Sequence, residues 1–177
     1  EVINSQVKNL TAFLDSYHRL THLPEPEYKT VSVPALFTKL ERLLQAEPRS
    51  ERVVYCDGKA DRSTGKELQV YGDANLLTLA LINLIRNALQ AVEGQEDGIV
   101  RVDTCAGATG HLLITITDNG PGIPPERLSA IFTPFFSTKS GGSGIGLPIS
   151  QRIMQLHGGQ LSVSSIPNVR TEFRMEF

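Results

Sequence analysis

The sequence predicts an α+β two-layer sandwich, and three observations point to it. Patterns of helical apolar spacing alternate with short strand-like runs along the chain. Two pairs of strand patterns, each joined by a short connection, read as antiparallel hairpins. The last strand alternates Phe173, Met175 and Phe177 with Glu172, Arg174 and Glu176, so one sheet face is buried and the other is wet. With 177 residues, 40% of them apolar and 20% charged, the chain can bury a core; at this size roughly 70% of the unfolded surface is hidden on folding.

Seventeen Lys and Arg against nineteen Asp and Glu give a net charge of −2. That balance excludes a dedicated nucleic-acid binder. No apolar run reaches the ~18 to 20 residues of a membrane span. The two cysteines, Cys56 and Cys105, lack CxxC spacing, so a reducing cytoplasmic setting is expected. The chain opens on Glu1, as a piece of a longer protein does.

Residues 1–22 read as a helix, with Ile3, Val7, Leu10, Leu14 and Tyr17 at alternating intervals of four and three. Such a seam suits a dimerising coiled coil, and a helix docked on its own domain carries the same pattern. His18 and His22 stand one turn apart on it; without a third ligand nearby the pair reads as solvated. Pro24 and Pro26 stop the helix and stiffen a connector over residues 24–29.

A strand is expected over 29–33, then a helix opened by Pro34 and running to about 46, then short strands at 52–56 and 68–71 around a polar loop. A long helix over 75–92 follows, capped by Asp73. Strands at 99–105 and 111–117 flank a glycine-bearing turn. A helix over 146–157, ended by Gly158 and Gly159, leads to strands at 160–164 and 171–177.

The helix at 75–92 is apolar almost all round except for Asn83, Arg86, Asn87 and Gln90, which share one face. Such a stripe either faces solvent or lines a polar pocket, where Asn87 offers a neutral oxygen to a hard cation. The strand at 111–117 runs into Asp118-Asn119-Gly120-Pro121-Gly122-Ile123. This is good turn chemistry; equally, it places a carboxylate able to accept from an exocyclic amine beside glycines that admit a flat ring. Downstream, Gly141-Gly142-Ser143-Gly144-Ile145-Gly146-Leu147-Pro148 leads into a helix start, a phosphate cradle or a flexible linker. Between the two, Phe132, Phe135 and Phe136 precede Ser137 to Ser140 and Lys139: a core-anchored connection, or a lid whose Lys139 reaches phosphate.

Together Asn83-Leu84-Ile85-Arg86-Asn87-Ala88, Asp118-x-Gly120-x-Gly122, Phe132 to Phe136 and Gly142-x-Gly144-x-Gly146-Leu147 resemble the N, first glycine, F and second glycine boxes of one family. It is the ATP-binding domain of sensor histidine kinases, in the GHKL superfamily. The resemblance covers residues 30–177, and the preceding helix, 1–23, is similar to the end of a dimerisation and phosphotransfer domain. It implies the Bergerat-type sandwich with ATP between the N-box helix and the lid. Asn87 would bind Mg²⁺, Asp118 would recognise adenine, Gly120 and Gly122 would border the base, and Gly144 and Gly146 the phosphates. Asn83, Ile123, Phe132, Lys139, Gly142, Ile145, Leu147 and Thr171 complete the implied nucleotide site.

What the resemblance implies for the whole protein is a homodimer that moves the γ-phosphoryl of ATP to a histidine, then to an aspartate on a response regulator receiver domain. In hydrolysing members a Glu stands four residues before the magnesium Asn; here that residue is Asn83, which cannot act as a carboxylate base. A GHKL-type ATPase or a protein serine kinase is the alternative. Gln90 stands where Lys or His is frequent, and Arg170 precedes Thr171 where Gly is usual. None of His18, His22, His111 and His157 is followed by an acidic residue, so the phosphate-accepting histidine is expected upstream of Glu1, within the cytoplasmic portion of the parent protein.

Overall fold

Ser32 starts the first helix by local chemistry. Its hydroxyl accepts the Ala35 N–H at 3.2 Å, and Pro34, which lacks an N–H to satisfy, fills the first turn. The computed structural model describes residues 23–56, 65, 67–106, 111–137 and 142–177. The helix expected over 1–22 with His18 and His22, and the lid residue Lys139, lie outside the described residues.

Strand β1 (Lys29–Ser32) leads into helix α1 (Val33–Leu44), which buries Val33, Leu36, Leu40 and Leu44 along one stripe. A 3₁₀ turn at Ser50–Arg52 follows, introduced by Arg49 in the left-handed region at φ 64°. Strands β2 (Val53–Tyr55) and β3 (Gln69–Gly72) flank the polar loop but do not pair with each other. β3 runs antiparallel to β1, with Ser32 opposite Gln69 and Lys29 opposite Gly72. β2 lies parallel to β4 (Val100–Ala106), with Val53 opposite Val100.

Helix α2 (Ala74–Ala91) is capped by Asp73, whose Oδ1 accepts the N–H groups of Asn75 at 2.8 Å and Leu76 at 3.0 Å. β4 and β5 (Leu112–Asp118) form the expected hairpin, with Val100 opposite Asp118. A short helix, α3 (Pro125–Leu128), which the sequence reading did not anticipate, precedes helix α4 (Gly146–Leu156). Strands β6 (Gln160–Ile166) and β7 (Arg170–Glu176) close the chain. The main sheet has the order β2-β4-β5-β7-β6.

This is the α+β two-layer sandwich. Val100, Val102, Ile114, Ile116, Phe173 and Met175 on one sheet face, and Leu77, Leu81, Leu84, Ile85, Ile153 and Met154 on α2 and α4, are all buried. Each such side chain contributes roughly 1.5–3 kcal/mol by leaving water. α2 and α4 run antiparallel, since Asp73, Ala80 and Asn83 meet His157, Ser150 and Gly146 in reverse order.

At the end where α2 begins and α4 finishes, the His157 ring is held twice. Its Nε2 accepts the Asp73 N–H at 2.9 Å, and its Nδ1 donates to the Ile153 carbonyl at 2.7 Å. A backbone N–H only donates and a carbonyl only accepts, so the tautomer is fixed. Gly72 makes room for this ring, because a Cβ there would lie 2.5 Å from His157 Cδ2. The residues entering the domain fasten to the same cluster. The Glu27 N–H donates to Asp73 Oδ2 at 2.8 Å, the Tyr28 hydroxyl donates to the Leu156 carbonyl at 2.6 Å, and the Tyr28 ring stacks on Tyr71.

Candidate functional site

At the opposite end of α4 the two helices, the end of β5 and the loops around α3 enclose a cavity of about 580 Å³. That is within the roughly 300–1,000 Å³ usual for small-ligand sites. The polar stripe of α2 faces it: Asn83, Arg86, Asn87 and Gln90 all line the wall. Asp118, Gly122 and Ile123 line it from the first glycine loop, Gly142, Ser143 and Gly144 from the second, Gly146 and Leu147 from the first turn of α4, and Thr171 from β7.

Asp118 is the last residue of β5 and only 3% exposed. Its Oδ1 accepts the Gly120 N–H at 2.9 Å, which fixes the carboxylate plane. Across the sheet its register partner is Thr171, also buried, whose hydroxyl bonds to Ser165 Oγ at 3.1 Å. Ser165 Oγ in turn accepts the Ile123 N–H at 2.8 Å, and the Asn168 N–H donates to the Pro121 carbonyl at 2.8 Å. The turn between β6 and β7 therefore pins the first glycine loop against the strand that carries Asp118.

The two glycines of that loop are required by protein neighbours. A Cβ on Gly120 would meet Asp118 Oδ1 at 2.7 Å and Ala91 Cβ at 3.0 Å. Gly122, at φ +73°, would place one 2.7 Å from the Ile166 carbonyl oxygen. Gly120 thus packs behind the wall and is not among the lining residues, while Gly122 is.

In the second box Gly144 adopts φ +66°, and a Cβ there would sit 2.5 Å from the Phe135 carbonyl carbon. The Phe135 N–H donates to the Gly144 carbonyl at 2.9 Å, stitching the aromatic segment to the glycine loop. Phe135 itself takes φ 66°, a conformation that costs an L-residue of order 1–2 kcal/mol. Phe136 lines the cavity, whereas Phe132, partly buried, packs against the core and does not line it. Ile145 likewise is buried at the N-cap position of α4 and supports the loop from behind.

α4 starts with no side-chain cap, so its first-turn N–H groups carry the positive end of the helix dipole to the cavity edge, where Gly146 and Leu147 line it. Asn83 fixes that end by donating from Nδ2 to the Gly146 carbonyl at 3.4 Å. The charged side chains lining the cavity among the described residues are Asp118, Arg86 and Arg127. Two cations and a helix N-terminus favour an anionic ligand, with a single buried carboxylate at the far end to orient it. Arg86 stood on the polar stripe without an assigned role, and Arg127 was missed altogether. The local signal for Arg127 was Pro125 followed by Glu126, a helix start that would have turned the arginine back toward the glycine loop.

Residues 72–177 match the family of histidine kinase-, DNA gyrase B- and HSP90-like ATPases, and the chain belongs to it. Within that family it is a histidine kinase ATP-binding domain. It is similar to the sensor histidine kinase ZraS of Salmonella typhimurium, 43% identical over 98 residues, covering 55% of this chain and 21% of ZraS. It is also similar to the sensory histidine kinase/phosphatase NtrB of Vibrio alginolyticus, 33% identical over 180 residues, covering 96% of this chain and 49% of NtrB. The chain thus spans about a fifth to a half of the length of these relatives. Among solved structures, the catalytic domain of histidine kinase ThkA superposes with a TM-score of 0.69 at 27% identity, over 85% of this chain and 95% of that one. ThkA in complex with the response regulator TrrA shares the fold at a TM-score of 0.74 and 22% identity, over 99% of this chain and 49% of that one.

Proposed function

We propose that the cavity binds ATP with Mg²⁺ and that the domain serves phosphoryl transfer to a histidine in the parent kinase, from which the group passes to a response regulator. The observation that carries this reading is the sharing of one cavity by Asn87, Asp118 and the uncapped start of α4. Asp118, fixed by Gly120, accepts from the exocyclic amine of adenine. The first-turn N–H groups of α4 and the Gly142 to Gly144 backbone meet the phosphates. Asn87 supplies an amide oxygen to Mg²⁺, a cation that keeps several waters and phosphate oxygens and needs few protein ligands. Bound there, the metal offsets charge on the phosphate oxygens. Asn83 holds Gly146 in place and offers no carboxylate to activate water, which favours phosphotransfer over hydrolysis.

In this reading residues 1–23 end a dimerisation and phosphotransfer helix, residues 24–29 connect it, and residues 30–177 form the catalytic domain. The kinase acts as a homodimer in the cytoplasm, with Lys139 on the lid. Among the described residues no helix is long and apolar enough to cross a membrane. Incubating the chain with γ-labelled ATP and Mg²⁺ tests the proposal. The nucleotide binds saturably, phosphate release stays slow, and no label appears on the chain, since none of its four histidines precedes an acidic residue. Label on His18 or His22 would contradict the assignment of the acceptor, and rapid phosphate release would favour the ATPase alternative.

A further inference from the structure

Arg86 lies on the cavity wall one residue before Asn87, yet its guanidinium is turned to a residue outside the cavity. Both Nε, at 3.1 Å, and Nη2 donate to the same carboxylate oxygen, Glu47 Oε1, beyond the end of α1. The Arg86 side chain is 53% exposed and that of Glu47 25%. An ion pair this wet is weak and readily exchanged. A polyphosphate offers the same guanidinium several anionic oxygens and a bidentate geometry, and so outcompetes a single carboxylate oxygen.

Glu47 does not depend on Arg86 for its place. The Glu47 N–H donates to the Leu44 carbonyl at 2.8 Å. Beyond it, Arg49 pairs with Glu93 at 2.9 Å, and Arg52 donates to the Val92 carbonyl at 3.0 Å at the end of α2. The segment after α1 is thus tied to α2 at two further points, and Arg86 can leave Glu47 without freeing it.

We infer that Arg86 is a phosphate-positioning residue held in reserve by Glu47: on nucleotide binding its guanidinium exchanges the Glu47 carboxylate for terminal phosphate oxygens, so Glu47 sets how strongly the site prefers a triphosphate to a monophosphate. The inference rests on the nucleotide reading of this cavity and adds to it a residue that selects for phosphate-chain length.

Calorimetric titration of the whole chain with ATP, ADP and AMP, each with Mg²⁺, tests it. Arg86→Ala is expected to weaken ATP binding roughly tenfold or more, the worth of one charge-assisted contact, and to leave AMP within about twofold. Glu47→Gln is expected to tighten ATP binding and leave AMP unchanged; it also keeps Arg86 in place should the alanine variant disturb α2. ATP affinity unmoved by both substitutions overturns the inference, as does an equal loss of ATP and AMP in Arg86→Ala. In either case wild-type ATP binding leaves the nucleotide reading standing, whereas a wild-type chain that binds none of the three removes both.

Discussion

Asp118 and Thr171 face each other as register partners across β5 and β7, both buried, both lining the cavity. The strand that carries the carboxylate is therefore locked to the strand whose turn pins the glycine loop, and recognition at this end is preorganised by the sheet.

Asp118→Asn keeps an oxygen for the Gly120 N–H but removes the charge and can turn a donor toward a donor. Adenine nucleotide affinity is expected to fall by roughly 1.5–3 kcal/mol, about 10- to 150-fold, with little change in thermal stability. Calorimetry with ATP and with GTP checks it: the loss should be specific to adenine.

Gly144→Ala forces an L-residue into the left-handed region and its Cβ against the Phe135 backbone. The conformational term alone is of order 1–2 kcal/mol. A lower urea midpoint together with weaker ATP binding is expected, because the same contact anchors the aromatic segment and the phosphate loop.

Burial raises the Asp73 carboxyl, but the hydrogen bonds it accepts from the N–H groups of Glu27, Leu76 and Asn75 outweigh it and hold the group below its ordinary 3.8. The unfolded chain thus binds the proton more readily than the folded one. The stabilisation is complete above about pH 4 and is lost as pH falls through the lower folded value. Asp73→Asn, which retains a capping oxygen, is expected to flatten this acid limb, measured as the urea midpoint between pH 5 and pH 2.

The sandwich was legible because its strongest elements are locally encoded. Asp73 before an apolar run specifies α2, and the alternation of Phe173 and Met175 with Glu172 and Arg174 specifies a half-buried β7. Pairing across distance was not: nothing near residues 53–55 or 69–72 says that β3 seeks β1 and β2 seeks β4. In the site, Asn83, Asn87, Asp118, Gly144 and Gly146 meet as their spacing suggested, since each sits at the end or on one face of a predictable element. The reasons for Gly120 and Gly122 were hidden in part: Asp118 Oδ1 is a local obstacle to a Cβ at Gly120, but the other excluding atoms belong to Ala91 and Ile166, far away in sequence. Phe132 and Phe136 could not be told apart by pattern, as either ring could fill core or cavity.

The most direct test is a titration of ¹⁵N-labelled chain with Mg²⁺-ATP, following the Asn87 side-chain amide and the Gly120 backbone amide beside Asp118. The account predicts that both signals shift together with a single saturation curve, as one ligand spans the cavity from metal to base. Movement of one without the other, or of neither at saturating nucleotide, would contradict it.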